Sequence, residues 1–306
     1  MSTHSSPLYT VLERGWLSSN NIVFHTGART AIVDTGYCTH AEQTHNLLRA
    51  TLRGRTLDVI INTHLHSDHC GGNALLFEKY PAARLSIPPG HANEVARWDA
   101  KALSYEPTGQ SCPRFQHHDV LLPGKTVQLG DDFWEIHAAP GHDAHSVILF
   151  EPQSRTLISA DALWENGFGV IFQELEGVQA FDEAAATLDL IERLSPMTVI
   201  PGHGAVFTDV DSALSRARAR LKKFVDDPIR HAHYGAKVLL KYKLLEWQRC
   251  ERDQLFQWTQ QTHYFGILHQ RFFKDQAFKP WFESLLVDLQ RSKAAQIMDG
   301  VIINID

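Results

Sequence analysis

Four side chains able to bind metal fall within the six residues His64-Leu65-His66-Ser67-Asp68-His69. Imidazole nitrogen together with carboxylate oxygen suits zinc, and also iron or manganese. His64 and His66 are two apart, so in an extended segment they project to the same side. Asp68 and His69 follow too closely to join that site without strain, and could face a second ion a few ångströms off. The apolar run Val59-Ile60-Ile61 ahead of the cluster reads as a buried strand. Gly71-Gly72, then Asn73 to Glu78, read as the start of a helix. A strand that ends in a ligand-bearing loop and passes into a helix presents polar groups at a strand's carboxyl end, where open α/β sheets bind ligands.

The surrounding pattern supplies more such strand ends. Leu8 to Leu12, Asn21 to His25 and Arg29 to Asp34 read as strands, the last two joined by the turn Thr26-Gly27-Ala28. Residues 40–53 read as an amphipathic helix carrying Leu47, Leu48 and Leu52. A helix, the short strand Arg84 to Ile87 and a helix from about Ala92 to Ala102 follow. Residues 104–118, with Pro107, Gly109 and Pro113, read as an irregular loop near a pocket. Alternating strands run from Leu121 to Ser159, then a helix near 180–194 and the strand Thr198 to Ile200. Each half therefore has strands first and strand–helix alternation second. Two sheets packed together with helices outside satisfy that order.

Residues 206–306 change character. Helices are expected over Asp211 to Val225 and near 230–247, 251–261 and 279–293. Gln296 to Asn304 reads as two short strands about an Asp299-Gly300 turn. Helices followed by a small hairpin suggest a winged-helix-like appendage. Charge divides with the pattern. Residues 1–205 hold 13 Lys and Arg against 23 Asp and Glu, a balance of −10, whereas residues 206–306 hold 16 against 12, a balance of +4. Bound cations would offset part of the acidic share. The basic share reads as a solvated helical face, with an anion-facing surface as the alternative.

Cys38, Cys70, Cys112 and Cys250 have neither metal-ligand nor redox-motif spacing, so free thiols in a reducing compartment, the cytoplasm, are expected. The first residues have no basic start and no apolar core, so no signal peptide is expected. No stretch approaches 18 apolar residues, so no membrane span is expected.

Three further strand ends carry ligand types. Ala138-Ala139-Pro140-Gly141-His142 and Val199-Ile200-Pro201-Gly202-His203 repeat one pattern, and Ile158-Ser159-Ala160-Asp161 ends in a carboxylate. Alone, His142 or His203 reads as an ordinary loop histidine. Beside His64-x-His66-x-Asp68-His69, both read as ligands. These residues resemble the metallo-β-lactamase-fold hydrolase superfamily, glyoxalase-II-like branch, over about residues 8–205. The resemblance implies a four-layer αββα sandwich over residues 1–207 and a mostly helical, winged-helix-like domain over 208–306. It implies one metal held by His64, His66 and His142 and a second held by Asp68, His69 and His203, with Asp161 bridging. It also implies that Asp34 supports the metal loop from behind, and His145 with it. True β-lactamases of this fold usually carry Cys where Asp161 stands, which speaks against that activity.

The implied function is hydrolysis of a small ester, thioester or lactone through a metal-bound hydroxide on two divalent ions, zinc foremost, with Asp68 orienting the nucleophile. Tyr37, Trp164 and Phe168 are candidate substrate contacts, the last two on the aromatic loop after Asp161. Two other functions fit the sequence: a metal-dependent nuclease with the basic region docking RNA or DNA phosphate, and a non-catalytic sensor that kept the fold. Oligomeric state is not legible.

Overall fold

A computed structural model describes residues 8–305. Two mixed sheets face each other. The first has six strands in the order β1 (Tyr9–Leu12), β2 (Asn21–Phe24), β3 (Ala31–Val33), β4 (Val59–Ile61), β5 (Arg84–Ile87) and β6 (Asp119–Val120). The second has five: β7 (Thr126–Leu129), β8 (Asp132–Ala138), β9 (Val147–Glu151), β10 (Thr156–Ala160) and β11 (Thr198–Pro201). In each, antiparallel hairpins give way to parallel pairing, β3 with β4 and β10 with β11.

Alternation along the strands assigns the layers. Ala31, Val33, Ile61, Leu149, Ile158 and Ile200 pack between the sheets with Trp134 and Phe24. Ile32, Ile60 and Leu85 point outward, under Leu48 and Leu52 of the helix Ala41–Leu52. On the opposite side, Ile148, Leu157 and Val199 lie beneath the helices Phe181–Leu194 and Val210–Asp226. The expected four-layer αββα sandwich is therefore present. Fully burying one of these aliphatic side chains contributes about 1.5–3 kcal/mol, so the three apolar layers supply the rigidity the loops depend on.

The helix Val210–Asp226 starts at Asp209, whose side chain accepts from the Ser212 N–H. Asp227 caps the next helix, Pro228–Trp247, which has proline in its first turn. That long helix packs on Trp281, Phe282, Leu285 and Leu286 of the helix Phe278–Arg291. The terminal hairpin about Asp299 and Gly300 is present, both residues at positive φ. Over residues 206–305 the structure adds two elements that the sequence pattern did not announce. One is the helix His263–Phe272. The other is β12 (Arg249–Glu251), which pairs with β14 (Val301–Asn304), itself paired with β13 (Ala295–Met298), so the appendage ends on three strands. The expected helix over 92–102 is shorter, Ala92–Arg97, because Trp98 takes a left-handed conformation and closes it. No helix among the described residues is long and apolar enough to cross a membrane, and all four cysteines are free.

Candidate metal centre

Loops at the carboxyl ends of the strands bring the ligand-type side chains to one edge of the sandwich. β4 delivers His64 and His66, and a single helical turn, Ser67–Cys70, then swings Asp68 and His69 to the side. That turn relieves the crowding which the linear spacing implied. His142 follows β8, and His203 follows β11. Asp161 follows β10 at a bulge: the register to β11 shifts between Ile158 and Ala160, and Ala160 sits at φ +47°. Such a bulge re-aims the next side chain into the site. Two glycines make room. A Cβ on Gly202 would lie 2.2 Å from Asp161 Oδ1, and one on Gly169 would lie 2.3 Å from His142 Nδ1.

The side chains form three overlapping sets that could hold a metal ion, each with donor atoms within 4.8 Å of one another. They are His64, His66 and His142; His64, His69 and Asp161; and Asp68, His69 and His203. His66 Nδ1 lies 3.1 Å from His64 Nε2 and 2.8 Å from His142 Nε2. Asp161 sits between the groups, with Oδ1 3.4 Å from His69 Nε2 and Oδ2 3.4 Å from His142 Nε2. His203 Nε2 is 3.1 Å from Asp68 Oδ2.

Hydrogen bonds behind the rings decide which nitrogens face inward. His142 Nδ1 donates to the Val170 carbonyl at 2.6 Å, leaving Nε2 with a lone pair. Asp34 accepts at once from the Thr63 N–H, the Thr63 hydroxyl and His69 Nδ1, at 2.8–2.9 Å. The Thr63 hydroxyl, so committed, accepts from His64 Nδ1 at 3.2 Å. His69 Nε2 is then buried without a hydrogen-bond partner and points at two carboxylates. A lone pair aimed at anionic oxygen is repulsive unless a proton or a cation lies between. The donor set and this orphaned nitrogen fit divalent ions.

The electrostatics agree. Burial opposes charge on His69, but Asp34, Asp161 and Asp68 hold its pKa well above the usual histidine value. Burial, reinforced by His142, pushes His66 down to about 4. Burial disfavours ionised Asp161, yet His203 and His69 outweigh it and keep the carboxyl well below its ordinary range. The neighbourhood is thus set up for anionic carboxylates and for cations between them.

Residues 14–203 match the Metallo-beta-lactamase superfamily. The chain belongs to that superfamily. It is 27% identical over 188 residues to a hydroxyacylglutathione hydrolase of Synechococcus sp. strain JA-2-3B'a(2-13), a stretch covering 61% of this chain and 63% of the relative. The chain spans less than two thirds of the length of such curated relatives. Among solved structures, a metallo-beta-lactamase family protein from Thermus thermophilus superposes with a TM-score of 0.56 at 17% identity, over 98% of this chain and 99% of that one. A protein solved in a di-iron-bound form gives 0.55 at 23% identity, over 68% and 98%.

Within this superfamily member the remaining candidates fall in different places. Trp164 lines the cavity over the cluster, and its Nε1 donates to Asp161 Oδ1 at 3.2 Å. Phe168 is buried behind it, in the core with Phe224. Tyr37 is fully buried; its ring meets Tyr242 edge-on at 5.2 Å and its hydroxyl accepts from the Ser111 N–H. His145 stands outside the three donor sets, against His91, and its backbone N–H donates to Asp143 Oδ1 at 2.8 Å.

Sequence reasoning missed several neighbours. Asp143 sits 3.8 Å from His66 Nε2, behind that ring as Asp34 is behind His69. Its adjacency to His142 was the available signal. Trp16 stacks on His203 with centroids 5.3 Å apart and planes 10° apart. Tyr242, on the helix Pro228–Trp247, lies 3.3 Å from Ser67 Oγ. Nothing local in the sequence marks either one. Together with Tyr234, Val238, Phe172 and Tyr264 they enclose a cavity of about 110 Å³ over the cluster.

Proposed function

We propose that the chain is a binuclear-metal-dependent hydrolase of a small ester, thioester or lactone. The observation that carries this reading is the convergence of His64, His66 and His142 on one side of Asp161 and of Asp68, His69 and His203 on the other. We assign the first three to one ion, the second three to another, and Asp161 to both. Zinc, iron and manganese all suit such donors. The relatives' name, hydroxyacylglutathione hydrolase, supports an acyl-transfer reading.

Bound there, two divalent ions would bring the pKa of water near neutrality and draw charge from a carbonyl oxygen. The chain's own residues do the rest. Asp68, kept ionised by His69 and His203 against the pull of burial, orients the attacking water, accepts its proton and passes that proton to the departing alkoxide or thiolate as the acyl bond breaks. Asp34 fixes His69, and the Val170 carbonyl fixes His142, so the donors need no rearrangement during turnover. Trp16, Trp164 and Phe172 shed water from the cavity, which strengthens every charge interaction inside it.

The nuclease alternative needs an extended basic face. On the helix Val210–Asp226, Arg218 is committed to Asp189 and Glu192 and Lys222 to Asp226, and Arg220 lines the groove beside the cluster, so that helix presents no unbroken basic face, which favours the small-molecule reading. The test is metal analysis with a panel of p-nitrophenyl esters, thioesters, lactones and short RNA at two salt concentrations. Ester or thioester turnover that tracks metal content and hardly responds to salt supports the proposal. RNA cleavage that falls steeply with salt, with no acyl turnover, overturns it.

A further inference from the structure

The cavity over the cluster shares Trp16, Trp164, His203, Tyr234, Val238 and Tyr242 with a larger groove of about 520 Å³. The groove runs between the Trp164 loop and the helices Val210–Asp226 and Pro228–Trp247. Its walls are apolar over most of their extent, through Val238, Leu245 and Leu289. Trp16 stands at its rim, 55% exposed. Exposed tryptophan beside an apolar trough is a recognition feature more often than a stability feature.

Two cations face this apolar space. The Arg220 guanidinium is held over the Tyr234 ring at 4.4 Å and lies 5.5 Å from the Phe168 and Phe224 rings. Those contacts fix its position without neutralising it. Its hydrogen bond is a long one, 3.5 Å to the Asn166 carbonyl. Lys237 is half-buried on the next helix. Among the described residues, neither Arg220 nor Lys237 has a carboxylate partner. The contrast with Arg218, in the same helix as Arg220 and doubly paired, is direct. Glu165 lines the rim, exposed, and Lys241 is engaged by the Ala294 carbonyl and Asn304 Oδ1. Cations partly withdrawn from water without a counter-charge are costly, and an anion supplied by a ligand offsets that cost.

We propose that this groove is the subsite for an anionic group carried at the far end of an apolar stretch of the substrate. The scissile bond would lie at the cluster, the apolar stretch along Val238, Leu245 and Leu289, and the carboxylate or phosphate against Lys237 and Arg220. The inference rests on the hydrolase reading for the identity of the ligand as substrate, and on the groove alone for its chemistry.

Calorimetric titration of the metal-loaded full chain with octanoate, octyl phosphate and 1-octanol tests it without turnover. Both anions should bind roughly tenfold or more tighter than the alcohol, the scale of one charge-assisted contact. Lys237→Glu should erase that preference and leave metal content unchanged, and Lys237→Met should weaken it if the reversed charge disturbs folding. The ratio of octanoate to octyl phosphate identifies the head group. Equal binding of octanol and the anions overturns the proposal. So does an anion preference that survives Lys237→Glu and disappears in His66→Ala, because the anion then sits on the cluster. In parallel, p-nitrophenyl hydrogen suberate should show a lower KM than its methyl ester, a difference lost in Lys237→Glu. An inert protein that keeps the Lys237-dependent anion binding would refute the hydrolase reading and retain the groove.

Discussion

Asp34 Oδ2 lies 2.8 Å from His69 Nδ1, and both side chains are buried. The same carboxylate takes the Thr63 N–H and hydroxyl, so one side chain sets the orientation of His69 directly and of His64 through Thr63. Asp34 does this from φ +58°, a conformation that Asn also tolerates. Asp34→Asn should therefore fold, yet turn one acceptor into a donor. Metal affinity should fall by about 10–100-fold, read by competition with a chromophoric chelator. Unchanged affinity would show that His69 is oriented by other contacts.

His66→Ala and Asp161→Ala remove donors at the centre of the cluster. Elemental analysis should find less metal per chain in both, and hydrolysis of p-nitrophenyl esters should drop to background. Full activity in either variant would refute the ligand assignment.

Gly202→Ala should displace the Asp161 carboxylate without removing any donor atom. The added methyl would meet Asp161 Oδ1 at 2.2 Å and His69 Cε1 at 3.0 Å. A forced shift of this kind costs about 1–3 kcal/mol. Thermal melting and metal content should fall together.

Chelation should destabilise the fold. Without cations, the buried carboxylates of Asp68 and Asp161 lose the positive charge that gathers the donors and must draw on protonated histidine such as His69 instead. A ligand that binds only the folded chain adds about 2.7 kcal/mol at a hundredfold excess over its dissociation constant. The melting temperature should drop on treatment with EDTA and recover when zinc, iron or manganese is restored. The ion giving the largest recovery of both stability and turnover is the preferred one.

His231 offers a pH test away from the metal donors. Burial and the nearby Arg220 push its pKa down to about 4, and its Nε2 accepts from the Ile171 N–H at 3.3 Å. The folded-state value lies below the unfolded one. Its contribution is therefore complete above pH 6.5 and is lost as pH falls from there toward 4. The loss reaches at most about 3 kcal/mol. The difference in urea midpoint between the natural chain and His231→Gln should shrink over that interval. A constant difference would mean that the ring is protonated in the folded state or freely solvated.

Legibility in the sequence followed the range of the interactions. The histidines and aspartates at strand ends could be read because each sits in a short local pattern, an apolar run broken by a polar ligand. Unbroken apolar runs such as Ala31–Val33 and Val59–Ile61 likewise announced buried strands, and the repeated order of strands then strand–helix alternation announced the two-sheet sandwich. The helix His263–Phe272 escaped because its apolar residues, Tyr264, Phe265 and Leu268, follow closely on the helix Arg252–Gln261 with no proline or glycine to mark the break. Trp16 and Tyr242 were invisible as site residues for another reason. They reach the cluster only through long-range packing, and a lone aromatic carries no local sign of where it lands. Tyr37 illustrates the converse, since its place beside Asp34 in the sequence says nothing about the Tyr242 ring that covers it.

Tyr234, Val238 and Tyr242 all reach the cavity from one helix, Pro228–Trp247, while every side chain of the three candidate donor sets comes from the sandwich. Under the proposed function, bond cleavage and choice of molecule are thus written largely into separate stretches of polypeptide. Exchanges along one face of that helix can widen, narrow or recharge the entrance while the donor side chains stay where they are. A hydrolase built as proposed could in this way be turned toward new compounds without being rebuilt.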